Sequence, residues 1–405
     1  MAVAVPIAKS VRIKKESTWS TAPGTTGAQL LRRVSSDLDL RKQTYESAEI
    51  RTDYQVSDFR HGVRSVEGRI SGELSPLTYE MLFAAATRKQ WAATSALTSL
   101  SLTIAASGDN YTVTRGSGSF LTDGIKVGDV IRLTAGSFTA GNLNNNLLVL
   151  ALTATVATVT TLNGSSLTAE GPIASATVSV PGKRSFVPTS SHTDDSFSIE
   201  HWFSDISQSE LFRGCKVMNA AVNLPATGIA TVDFGFMGCD VTTATSAYYT
   251  SPSAATSTGV VAAVNGVVRY GSGKVANITG LNFTIDGAMS ASPVVGSNTY
   301  PDIYEGRVSV SGQFTAFFED ATYRDAFLNE TEVSITVAMT TGNSNNADFM
   351  AFTFPRCKLG GTSKSDGGTG GVVQTVPFTA LFNGSGGSGT STEATTIVMQ
   401  DSAIS

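Results

Sequence analysis

The sequence predicts an all-β protein with short helices: two tandem β-sandwich domains made by internal duplication, plus a small β-barrel or sandwich inserted into the first. Three observations predict it. A strand-then-helix unit occurs twice. The first copy is longer by one charge-poor segment. That segment breaks into short strands separated by turn residues.

The first unit lies in IRTDYQVSDFRHGVRSVEGRISGELSPLTYEMLF, from Ile50 to Phe83. Val66, Gly68, Ile70, Gly72 and Leu74 alternate with Glu67, Arg69, Ser71 and Glu73. Period two turns one set toward a core and the other toward water or a partner. Ser75 and Pro76 suit a helix N-cap and first turn. Leu77, Met81, Leu82 and Ala85 follow at helical spacing. The second unit runs from Gly306 to Leu328. Val308, Val310, Gly312 and Phe314 match Gly68, Ile70, Gly72 and Leu74 at a shift of 240, with Arg307, Ser309, Ser311 and Gln313 on the polar face. Tyr323 to Phe327 then matches Tyr79 to Phe83, with Asp320 as N-cap.

Residues 1–29 read as an extended arm, with an edge strand from Ala8 to Lys15. Leu38-Asp39-Leu40 finds a counterpart in Leu281-Asn282-Phe283, and residues 43–62 read as a long polar loop or hairpin. From about Thr94 to Ser191 the chain is charge-poor. Five strands are expected there, within 102–104, 111–115, 127–133, 147–152 and 156–162, as a small barrel or sandwich. The first copy then resumes. Leu211 to Val217 matches Thr353 to Leu359, which aligns Cys215 with Cys357, and Thr231 to Phe234 matches Thr375 to Phe378. Gly72 and Cys215 are 143 positions apart, Gly312 and Cys357 only 45; the excess of 98 is close to the length of the charge-poor segment. Insertion into a surface loop keeps both ends close together. The expected organisation is residues 1–93 with 192–241 as the first sandwich, 94–191 as the insert, 242–259 as a linker, and 260–405 as the second sandwich with a flexible C-terminal tail.

Charged residues are 15% of the chain, below the usual quarter, which suits β structure or a surface buried in an assembly. A net charge of −5 argues against a nucleic-acid binder of the basic-patch kind. No run of eighteen apolar residues exists to span a membrane. The N-terminus lacks the charged leader and apolar core of a signal peptide. Cys215, Cys239 and Cys357 are too few and too scattered for a disulfide framework, so synthesis in a reducing cytoplasm is expected. His61, His192 and His201 have no Cys or carboxylate cluster at ligand spacing. The glycine-rich stretches lack a phosphate-loop Lys, and no G-x-S-x-G is present. No catalytic, cofactor or metal residues are expected.

Glu49-Ile-Arg51, Val56-Ser-Asp58, Arg60-His-Gly62 and Gly68-x-Ile-Ser-Gly-Glu73 together resemble the major tail tube proteins of long-tailed (siphovirus-like) bacteriophages. Lys15-Glu-Ser-Thr-Trp19-Ser-Thr-Ala-Pro23 is similar to the start of the same family, and Asp123 to Ile131 resembles a β-barrel decoration often inserted in it. The resemblance implies a structural subunit, not an enzyme: a β-sandwich flanked by a helix, stacked in rings into a hollow conduit for DNA. It implies a virion location, made in the host cytoplasm. Partners would be other copies of the chain, a tape-measure protein and passing DNA in the lumen without sequence-specific binding, and other tail proteins at the tube ends.

Many members of that family place one tube domain per chain and six chains per ring. Two domains per chain then imply homotrimeric rings with pseudo-sixfold symmetry, a hexamer being the alternative. Glu67, Arg69, Ser71, Glu73, Arg307, Ser309, Ser311 and Gln313 would face the lumen, and the insert would project outward. Arg51, Asp53, Gln55, Asp58 and Arg60 would form a loop reaching a neighbour in the same or the next ring. The plain alternatives are a solvated loop and an ordinary half-buried sheet, because any half-buried strand alternates. A different class of function, a β-rich surface adhesin or carbohydrate-binding protein, fits the Thr/Ser/Gly-rich strands but not the missing secretion signal.

Overall fold

A computed structural model of the chain describes residues 3–365, 367 and 370–405. The first half contains β1 (Lys9–Lys15), β2 (Thr26–Leu30), β3 (Ser35–Ser36), β4 (Asp39–Glu46), β5 (Phe59–Glu73) and α1 (Glu80–Thr87). An excursion follows through β6 (Leu97–Ser107), β7 (Asn110–Arg115), β8 (Val130–Ala135), β9 (Leu147–Leu152), β10 (Val156–Thr161) and β11 (Glu170–Ser179). The first half resumes with β12 (Lys183–Phe186), β13 (Phe197–Phe203), β14 (Gln208–Leu224), β15 (Thr231–Gly238), β16 (Asp240–Ala244) and β17 (Ser251–Ser253). The second half comprises β18 (Gly266–Tyr270), β19 (Gly273–Val275), β20 (Ile278–Asp286), β21 (Ser290–Ala291), β22 (Ile303–Tyr304), β23 (Ser309–Phe317), α2 (Thr322–Leu328), β24 (Val333–Thr340), β25 (Phe349–Leu359), β26 (Ser363–Ser365), β27 (Val373–Ala380) and β28 (Val398–Asp401).

Each half is a sandwich whose two sheets share one long strand. In the first, β14 pairs through its early residues with β13 and β16, and through its later ones with β15. In the second, β25 pairs with β24 and β28, then with β27. The two halves join where β14 pairs antiparallel with β20, from Asn219 opposite Asp286 to Leu224 opposite Leu281. One core therefore runs through both. Phe83 on α1 stacks edge-on against Phe234 at 5.1 Å and lies 6.0 Å from Phe352, which meets Phe283 at 5.1 Å. Full burial of rings of this size contributes about 1.5–3 kcal/mol each.

Hydrogen-bond register aligns the halves. Phe197 lies opposite Cys215 and Val333 opposite Cys357, so the two cysteines coincide. Phe236 then faces Val217 and Gly68, while Phe378 faces Leu359 and Gly312. Gly312 thus corresponds to Gly68, not to Gly72, and the shift is 244 rather than 240. The helix pair Tyr79 and Tyr323 carries the same 244. Likewise Leu38 corresponds to Phe283 rather than Leu281, and Asp233 to Phe236 corresponds to Thr375 to Phe378.

Several elements differ from the sequence reading. α1 starts at Glu80, not at Ser75: Leu77 sits at φ +68°, and its N–H is taken by the buried carboxylate of Asp401 at 2.7 Å. β1 is no edge strand, because β13 and β2 flank it. The region 43–62 is a hairpin, and β5 extends back to Phe59. The insert has six strands, not five, and closes as a barrel; β11, unrecognised around Pro172, pairs with both β6 and β8. Residues 242–259, expected to be a linker, carry β17 and a core residue, Tyr249, wholly buried against Ala28 and Leu211. The C-terminal stretch is built into the sheet, with β28 between β25 and β12 and Met399 buried. Residues 366, 368 and 369 of the Gly/Ser-rich stretch 358–371, expected to be a flexible hairpin loop, lie outside the described residues.

The barrel has its own core, around Leu102, Val113, Leu133 and Val159. Its outer surface packs on the second half, joining Val130, Leu148 and Leu150 to Val267, Ala338 and Phe349. Ala338 points to the barrel while its neighbours Val337 and Met339 point into the main core, so the barrel sits across the sandwich from the β20–β23–β27 sheet. Gln400 clamps the junction, accepting from Val130 N at 2.8 Å and donating to Val130 O at 3.0 Å. Arg269 donates to Leu150 O at 2.7 Å; burial pushes its guanidinium down to about 10.

Candidate assembly and conduit surfaces

The polar faces of the two inner sheets form one surface. Because β14 pairs with β20, β5, β15, β14, β20, β23 and β27 lie side by side without a break. Register sets the outward residues in rows. One row runs Ser71, Asp233, Ala221, Thr284, Ser311, Thr379; another runs Glu73, Thr231, Asn223, Asn282, Gln313, Pro377; a third runs Arg69, Gly235, Asn219, Asp286, Ser309. The alternate residues Ile70, Phe234, Ala220, Phe283, Val310 and Phe378 are buried on the other side.

Seven of the eight residues singled out as lumen-facing belong to these strands. Glu67, Arg69, Ser71 and Glu73 share the outward face of β5, and Ser309, Ser311 and Gln313 that of β23. Arg307 is exposed but precedes β23, which begins at Ser309. Several of the polar groups are tied down. Glu67 pairs with Arg41 at 3.2 Å, Ser71 Oγ donates to Asp233, and Asp37 accepts from Arg69 N. The sequence reading missed Asp233, Asn219, Thr284 and Asp286. Their signal was the same alternation, but the neighbour relations that bring them beside Ser71 and Ser311 are long-range.

The second surface is the β4–β5 hairpin. Its end is exposed throughout, including Tyr45, Ile50, Tyr54, Val56 and Phe59. Its charges are paired locally: Arg51 Nη2 to Asp53 Oδ2 at 2.6 Å, and Arg60 Nε to Asp58 Oδ2 at 2.8 Å. The hydrogen bond to Arg51 holds the Asp53 carboxyl below its ordinary value, and Asp53 in turn raises Arg51. Gln55 donates its N–H to Asp53 at 3.2 Å. The five residues thus form two local groups, Arg51–Asp53–Gln55 and Asp58–Arg60, rather than a row of free charges.

Among the described residues no group of three or more His, Cys, Asp or Glu could hold a metal ion. Cys215, Cys239 and Cys357 are all free and buried, and burial raises each thiol above its ordinary value, away from nucleophilic reactivity. His201 is buried against Ser36 Oγ at 2.7 Å; burial, with Lys9 and Arg33 nearby, pushes it down to about 3. It is a neutral core histidine. No helix of the described residues is long and apolar enough to cross a membrane.

A wide polar sheet face backed by a shared core, with exposed strand edges and a projecting hairpin, defines a structural β protein built for assembly. The chain belongs to the phage tail tube protein family, whose pattern matches residues 8–380. The match spans both sandwiches and the inserted barrel. No curated protein matches the sequence. The family makes the chain a structural component of a bacteriophage virion tail.

Proposed function

We propose that this chain is the repeating subunit of the tail tube, and that three copies close a ring of pseudo-sixfold symmetry. Stacked rings would form the hollow conduit for DNA. The observation that carries this reading is the unbroken polar face across the β14–β20 junction. Two sandwiches already joined side by side behave as two consecutive members of a ring. A ring removes the remaining free sheet edges, which otherwise invite aggregation.

The face suits passage rather than grip. On the outward rows of these strands and the adjoining β4, the carboxylates Asp39, Glu67, Glu73, Asp233 and Asp286 stand against Arg41, Arg69 and the enclosed Lys216. Few fixed cations are there to displace counterions from a polyanion, so DNA and a tape-measure protein would slide past without sequence-specific binding. The barrel, across the sandwich from this face, would project outward. The role is mechanical, with no catalytic step, and the subunit is made in the host cytoplasm before assembly. Antibody labelling of virions tests the assignment: label along the tail is expected, and label confined to the capsid or to fibres would contradict it.

A further inference from the structure

The join between the two halves is a template for the join between chains. In the 142-residue shift that aligns Cys215 with Cys357, the outgoing half of β14 corresponds to β26: Ala221 faces Asp233 as Ser363 faces Thr375. In the 245-residue shift that aligns Leu38 with Phe283, the strand that β14 meets, β20, corresponds to β3 and β4. Inside the chain, β14 and β20 are paired. Among the described residues their counterparts β26 and β4 are each paired on one side only, with β27 and β5 respectively.

The hairpins repeat the relation. The β20–β23 connection folds back over the first half. There Lys216 Nζ binds Asp194 at 2.8 Å, Asp302 at 3.2 Å and Ile303 O at 2.8 Å. At the aligned positions Lys358 Nζ binds Glu330 at 2.8 Å; among the described residues no second carboxylate reaches ion-pair distance, the nearby Glu332 being held by Arg356. The residues aligned with Asp302 and Ile303 are Asp58 and Phe59, on the exposed β4–β5 hairpin. Even the local bond recurs: Asp302 accepts from Ile303 N at 2.7 Å, and Asp58 from Phe59 N at 2.8 Å. Gly306, shortly before β23, aligns with Gly62 in β5.

The exposure pattern is that of a site missing its neighbour. Ile303 is fully buried, whereas Phe59 is 47% exposed. The Lys216 side chain is 2% exposed, that of Lys358 39%. Ile285 is buried, and its counterpart Leu40 only partly. One residue departs from the pattern: Lys364 stands where Val222 stands, with its ammonium 3.4 Å from the centre of the Phe318 ring.

We infer that a second copy of this chain occupies both places, in the same ring: its β4 pairs antiparallel with β26, Asp39 opposite Ser363, and its Asp58 completes the Lys358–Glu330 site. This rests on the tube reading and fixes which surfaces meet. It assigns the hairpin to the neighbour beside it rather than to the ring above or below.

Two cysteine pairs and a charge swap test it on the full-length chain, in which the native cysteines are buried. Mild oxidation of assembled D39C/S363C is expected to give disulfide-linked species ending at a closed trimer, while S35C/S363C, four residues out of register, stays monomeric in denaturing gels. K358E, at a partly exposed position, and D58K, at an exposed one, should each lower the melting temperature of the unassembled chain by at most a few degrees and the assembled fraction about tenfold, and D58K/K358E should restore assembly. Tubes that form without the D39C/S363C link, or single charge variants that assemble normally, would overturn the inferred seam and leave the tube role standing. Wild-type protein that forms no ring or tube under any condition would overturn the tube role, and the seam with it.

Discussion

Gly68 and Gly312 occupy the same place in the two halves of the chain. Each lies opposite a buried phenylalanine, Phe236 or Phe378. A Cβ on Gly68 would meet Asp37 O and Leu38 Cα at 2.7 and 2.6 Å, and a Cβ on Gly312 would meet Asn282 O and Phe283 Cβ. In both, the obstacle is the backbone of the neighbouring strand, which cannot move aside as a flexible side chain would.

Gly68→Ala and Gly312→Ala should therefore each destabilise the chain, by about 1–3 kcal/mol. Gly68, at φ +150°, carries conformational strain as well and should be the costlier of the two. Chemical denaturation of the two variants checks this. A Gly312 variant as stable as wild type would mean that Asn282 O does not crowd this position.

This pair also shows how far the sequence could be read. The alternation of Val66 to Leu74 and of Val308 to Phe314 identified both strands and their faces. It could not fix their relative register, because a strand that repeats every two residues accepts any even slip without turning a side chain over. Matching Gly312 to Gly72 was such a slip. The helices were free of it, since Tyr79 and Tyr323 carry bulky rings with distinct partners: Tyr79 OH donates to Arg32 O, and Tyr323 OH to Asn277 Oδ1. Where a long-range partner decided the outcome, the sequence was silent. Asp401 displacing the start of α1 and β11 closing the barrel are two such cases. The outward faces of β5 and β23 were legible by parity alone; Arg307 shared the parity but lies outside the strand.

The shared core predicts joint unfolding. Phe83, Phe234, Phe283 and Phe352 form one chain of ring contacts across the halves. Phe352→Ala should cost about 3–5 kcal/mol and lower the melting of both halves together. Hydrogen exchange resolved by segment would show it. Loss of protection in the second half alone would contradict a single core.

Lys216 and Lys358 hold aligned positions but should differ in weight. Lys216→Ala leaves Asp194 and Asp302 unpaired beside a buried site, and should cost the isolated chain about 1–3 kcal/mol. Lys358→Ala removes a partly exposed pair worth at most about 1 kcal/mol. Thermal melts of the two unassembled variants compare them directly. Equal losses would mean that Lys358 is already as enclosed as Lys216.

Asp401 gives a pH dependence of known sign. Burial, with Glu80 and Asp348 nearby, pushes its carboxyl from 3.8 to about 7, against the bonds it accepts from Leu77 N and Ala403 N. A carboxyl raised on folding contributes most below its unfolded pKa, and that contribution is lost as pH rises through the folded one. Leu77 N and Ala403 N use different oxygens of Asp401, and Asp401→Asn keeps only one acceptor; it should melt below wild type at pH 4 and recover by several degrees relative to wild type at pH 8. A difference that is the same at both values would exclude Asp401 as its source.

The most direct measurement is electron cryomicroscopy of the assembled protein. Hollow stacked rings are expected, with three outward barrels per ring and the face of Ser71, Asp233, Thr284 and Ser311 lining the bore. Six barrels per ring would contradict the trimer. Dispersed monomers at high concentration, even with the other tail components added, would contradict the tube.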